Sequence, residues 1–89
     1  MISRQVYYEG RVQGVGFRFT VRQVAKGYDV SGWVMNLPDG RVELRTCGDP
    51  DEVHAFLQAI QESELNSYIR KVEVNDIAPL NVRGFEIRH

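Results

Sequence analysis

Gly10-Arg11-Val12-Gln13-Gly14-Val15-Gly16-Phe17-Arg18 puts three glycines within seven positions, directly ahead of an amphipathic helical pattern. Glycine at that density permits positive φ and close approach of the backbone to a ligand. The first N–H groups of a helix have no partner inside it and carry a partial positive charge. A curled turn in front of them adds donors to a concave anion-binding nest. Arg18 stands at this junction, and its planar guanidinium can engage two oxygens of one anion, which the point charge of lysine cannot. The backbone of Gln13, Gly14, Val15, Gly16, Phe17 and Arg18 is therefore a candidate cradle for a tetrahedral oxyanion. The competing reading is a tight strand-to-helix connection with a solvated arginine, and local physics leaves both open. The spacing Gly10-x3-Gly14-x-Gly16 is not the dinucleotide-binding G-x-G-x-x-G, and no Gly-Lys-Ser/Thr follows.

Asn36 is the second candidate. It shares a strand face with Val30 and Val34 and sits just before Pro38-Asp39-Gly40. An Asn there either helps to close the turn or holds a water through its amide. The remaining polar groups make no catalytic set. His54 is expected to face solvent, His89 is far from it, and Cys47 has no helix N-terminus to activate it. A structural metal is not expected.

These residues need a frame, and hydrophobic periodicity supplies one. Gln5 to Val12 reads as a strand with Val6, Tyr8 and Val12 inward. Phe17, Val21, Val24, Ala25 and Tyr28 form one helical stripe, ended by Gly27 and Asp29. Val30 to Leu37 and Arg41 to Cys47 read as a hairpin around Pro38-Asp39-Gly40. Asp49 as N-cap, Pro50 at the first position and Glu52 closing a capping box predict a second helix, buried through Val53, Phe56, Leu57 and Ile60. Glu62 to Tyr68 reads as a loop, and Ile69 to Ile77 as a fourth strand with Val72 and Val74 inward. Gly84 to Ile87 reads as a short fifth strand. The order predicts a single α+β domain over residues 1–89, a ferredoxin-like βαββαβ sandwich with an antiparallel sheet and two helices on one face.

The chain has 89 residues, 43 % hydrophobic and 26 % charged, too short for a (β/α)₈ barrel of roughly 250 residues. One cysteine excludes an internal disulfide framework. No apolar run approaches membrane-spanning length and no leader pattern opens the sequence, so a reducing cytoplasm is expected, with no membrane partner. Net charge is −1, without the basic excess usual for nucleic-acid binding. Residues 1–45 carry seven basic and four acidic side chains, whereas 46–89 carry four and eight. An anion-handling site belongs in the first half.

Gly10 to Arg18 resembles the acylphosphatase signature G-x-V-Q-G-V-x-F-R, and Gly32-Trp33-Val34-Met35-Asn36-Leu37-Pro38-Asp39-Gly40-Arg41-Val42-Glu43 is similar to that family's second, G-W-V-x-N-x-x-D-G-x-V-E. Gly84-Phe85-Glu86-Ile87 resembles its usual ending. The resemblance implies hydrolysis of acyl phosphates to carboxylate and inorganic phosphate, with no metal, cofactor or covalent phosphoenzyme. By position, Arg18 matches the family's phosphate-binding arginine, Asn36 its water-orienting asparagine, and the Gln13–Phe17 loop its phosphate cradle. Gly27-Tyr28-Asp29 stands where Leu-Gly-Leu is common, and Glu62 to Tyr68 lacks a Gly-Pro type of loop. A monomer whose partners are its substrate and product is expected. Three other readings compete: a non-catalytic anion-binding module, an RNA-binding domain, and a unit of a larger carbamoyl-transfer protein. The third strand, Arg41 to Thr46, carries no aromatic residue for base stacking, and the defined start and finish favour a free-standing enzyme.

Overall fold

A computed structural model describes residues 1–89. Along the chain run β1 (Ile2–Gly10), α1 (Phe17–Ala25), β2 (Val30–Asn36), β3 (Val42–Gly48), α2 (Pro50–Gln61), a 3₁₀ helix (Glu64–Tyr68), β4 (Ile69–Asp76) and β5 (Phe85–Arg88). The five strands make one sheet in the order β4-β1-β3-β2-β5. Inward residues Val6, Tyr8, Val34, Val42 and Leu44 meet Phe17, Val21 and Ala25 of α1 and Phe56 and Ile60 of α2 in one core. Both helices thus lie on one face, and the fold is the ferredoxin-like α+β sandwich.

The sheet is mixed rather than antiparallel. β1 pairs antiparallel with β3 and β4, and β2 with β3, but β5 runs parallel to β2. The path of the chain explains this. β4 ends where β1 begins, and the following segment crosses that end of the sheet: the Ile77 N–H donates to the Ser3 carbonyl at 3.3 Å and the Leu80 N–H to Ser3 Oγ at 3.2 Å. It reaches the start of β2, where the Gly32 N–H donates to the Gly84 carbonyl at 2.9 Å. From there β5 must run alongside β2, which delivers Arg88 and His89 to the end of the sheet that carries the β1–α1 loop.

Other expectations shift locally. β1 starts at Ile2 and stops at Gly10, while Val12, fully buried, anchors the loop beyond the strand. α1 ends at Ala25, and Tyr28 packs on Phe56 with ring centroids 6.2 Å apart instead of extending the helix. Asp49 caps α2 through its backbone, with no side-chain hydrogen bond. Glu52 closes no capping box; its Oε1 accepts the Asp29 N–H at 2.6 Å and so ties α2 to the entry of β2. The expected loop at Glu62 to Tyr68 contains the 3₁₀ helix, pinned by buried Leu65 and by Ser63 Oγ, which accepts the Leu65 N–H at 3.1 Å. Val74 is 52 % exposed, because β4 is an edge strand only partly covered by α2. On the outer sheet face Glu43 is buried, its carboxylate held by Gln5 at 2.7 Å and Arg45 at 2.9 Å.

Candidate active site

The loop between β1 and α1 is fixed at both ends and open in the middle. The Arg11 N–H donates to the Tyr68 carbonyl at 2.9 Å, and Val12 is buried. Phe17 is buried with its ring centroid 5.1 Å from that of Tyr8. Between these anchors Gly14 and Gly16 adopt φ of 79° and 74°. A Cβ at either position would meet nothing within 4 Å, so it is the left-handed backbone, not crowding, that requires glycine. The backbone N–H groups of Gln13 through Arg18 donate to no acceptor within the protein. The helix bond accepted by Gly16 comes from the Thr20 N–H at 3.0 Å. α1 has no side-chain cap and no acidic residue in its first turn. The positive end of its dipole is therefore uncompensated, and Arg18 adds a full charge where the dipole disfavours a cation.

Gly14, Gly16, Phe17, Arg18 and Asn36 line one cleft of about 570 Å³, with Val12 beneath. Gln13 and Val15 do not line it. The Gln13 side chain turns away: Nε2 donates to the Leu37 carbonyl at 2.8 Å and the Arg41 carbonyl at 3.0 Å, lashing the loop to the β2–β3 hairpin. Val15 packs against the core. Arg18 is half-buried; one of its terminal nitrogens donates to the Arg88 carbonyl at 3.0 Å and lies 3.2 Å from His89 Nδ1. It has no carboxylate partner, so its other donors have no anion within the protein to neutralise them.

Asn36 reaches the same cleft from the end of β2. The neighbouring turn closes without it: the Leu37 N–H donates to the Arg41 carbonyl at 2.8 Å, and Asp39 accepts from the Arg41 N–H at 3.1 Å and its Nε at 2.8 Å. Those bonds to Arg41 hold the Asp39 carboxyl below the usual carboxylate range. Asn36 Oδ1 is buried and has no hydrogen-bond partner. A buried acceptor left unpaired costs about 1–3 kcal/mol, so Asn36 is held where its amide oxygen satisfies nothing in the protein.

Phe19, Arg22, Phe85, Glu86 and His89 also line the cleft. His89 is brought there by the direction of β5, which local pattern does not reveal. The side-chain role of Gln13 depends on the hairpin 24 residues away. No group of three or more His, Cys, Asp or Glu side chains converges as a metal site. Cys47 is buried away from the cleft, and burial pushes its thiol pKa up. No helix is long and apolar enough to cross a membrane.

The acylphosphatase family model matches residues 4–87. An acylphosphatase of Archaeoglobus fulgidus is 38 % identical over 89 residues, all of both chains. The crystal structure of acylphosphatase from Bacillus subtilis superposes with a TM-score of 0.90 at 32 % identity, covering 100 % of each chain. The T. kodakarensis HypF structure contains a similar unit, with a TM-score of 0.86 and 27 % identity over 100 % of this chain and 12 % of that one.

Proposed function

This chain belongs to the acylphosphatase family and hydrolyses acyl phosphates, the mixed anhydrides of a carboxylic acid and phosphate; we propose that the Gln13–Arg18 backbone and the Arg18 guanidinium hold the phosphoryl group while Asn36 orients the attacking water. The observation that carries these roles is the coincidence, in one cleft, of Gly14, Gly16, Phe17 and Arg18 with unpaired N–H groups, an arginine without a carboxylate partner and an unpaired buried amide oxygen.

Phosphoryl transfer leaves a protein little covalent chemistry to do; positioning and charge stabilisation dominate. The loop N–H groups and Arg18 hold the phosphoryl oxygens as charge redistributes over them. Asn36 Oδ1 accepts a hydrogen bond from water and fixes its line of approach to phosphorus. The water oxygen bonds to phosphorus as the bond from phosphorus to the acyl oxygen breaks. The carboxylate leaves with that electron pair, and the water proton passes to a phosphate oxygen. A carboxylate is a good leaving group, so no side-chain base is required. Grip on the phosphoryl end by itself does not select the acyl group. The substrate and product are the only partners proposed, the unit is monomeric, and its lone buried thiol suits a reducing cytoplasm.

Release of inorganic phosphate from benzoyl phosphate tests the roles. Losing one oxyanion donor costs about 10²–10³ in rate, so Arg18→Ala should fall at least that far while remaining folded. An Arg18→Ala protein that keeps most of the activity removes the assignment.

A further inference from the structure

The cleft extends past the phosphate cradle. Beyond Arg18 it is lined by Phe19 and Arg22 of α1 and by Phe85 of β5. Phe19 is 59 % exposed, one of few large apolar side chains left in solvent. Arg22 is exposed and has neither an ion pair nor a side-chain hydrogen bond. The one carboxylate side chain lining the cleft, Glu86, is engaged by Arg88 Nε at 3.0 Å. Arg18 and Arg22 are four residues apart on one helix, so their side chains leave neighbouring points on the same face. Like charges at that spacing repel, and neither arginine has an ion-pair partner in the protein. An anion at each would offset that repulsion.

We propose that Arg22 is a specificity residue that binds a second anionic group on the acyl part of the substrate, with Phe19, exposed in the same cleft, supplying an apolar platform beside it. This rests on the placement of the phosphoryl group at Arg18. Four residues of helix rise about 6 Å. On bonds of about 1.5 Å, an acyl group some four to five atoms long spans that separation. The favoured substrates are therefore acyl phosphates whose acyl group ends in a carboxylate or phosphate at that distance, rather than neutral acyl phosphates.

The test compares kcat/KM for 3-carboxybenzoyl phosphate with that for benzoyl phosphate, which share a ring and differ in one carboxylate. Arg22→Gln should lower the ratio of the two about five- to tenfold at low salt, and Arg22→Glu should lower it further. Added salt should shrink the wild-type ratio, since the second contact is solvent-exposed. Lys26→Gln, a further turn along α1, should leave the ratio where it was. A ratio that stays within twofold in both Arg22 variants, while benzoyl phosphate is still hydrolysed, overturns the subsite alone. Full activity of Arg18→Ala on benzoyl phosphate would instead overturn the phosphoryl placement and the subsite with it.

Discussion

Arg18 and Asn36 enter the cleft from different elements, and substitution should separate what each does. Arg18→Lys keeps the charge but loses the planar fork, so phosphate release from benzoyl phosphate should drop by at least about 10² and KM should rise. Asn36→Ala should lower kcat by a similar factor with little change in KM, because a group that aims water does not hold substrate. Its thermal midpoint should not fall, since the atom removed is a buried acceptor with no partner to lose. A variant that loses activity and also melts early would make Asn36 a structural residue. Both positions are legible in sequence because their types are uncommon choices for their places: a cation at a helix N-terminus, and an amide continuing an apolar strand face. His89 beside Arg18 was not legible, because nothing near residue 89 signals a contact 71 positions away.

At the scale of elements, the β1–α1 loop depends on backbone shape more than on side chains. Gly16→Ala places a Cβ in open space at φ 74°, so its cost is conformational, about 1–2 kcal/mol. Urea unfolding should show a loss of that size, and inhibition by inorganic phosphate should weaken as the loop relaxes from its curled form. Unchanged phosphate inhibition in a destabilised Gly16→Ala protein would mean that the curl does not shape the anion site. Strands and helices were readable from periodicity, because burial on one face repeats every two or every 3.6 residues. The reading faltered where tertiary contact overrides local pattern. Glu52 matches a capping box yet serves Asp29, and Leu65 draws a polar stretch into a 3₁₀ helix. Strand direction has no local signature at all. The parallel β5 follows from a crossing segment whose anchor is Ser3, far away in sequence.

For the whole molecule, the fold gathers an uncompensated positive site at one end of the sheet in a chain whose net charge is only −1. Seven of the eleven basic side chains lie in residues 1–45, and the second half of the chain returns to the cleft through β5. Binding an anion there couples to global stability. Phosphate at about 100 times its Kd should stabilise the protein by roughly 2.7 kcal/mol, which in a domain of this size raises Tm by about 10–20 °C. Arg18→Ala should lose most of that rise. The central claim is that the loop's own N–H groups grip the phosphoryl oxygens, and amide ¹⁵N–¹H shifts followed during titration with inorganic phosphate read this group by group. The largest saturating shifts should fall on Gln13 through Arg18 and on the Asn36 side-chain amide. Saturating shifts confined to other parts of the sheet, with these residues unmoved, would contradict it.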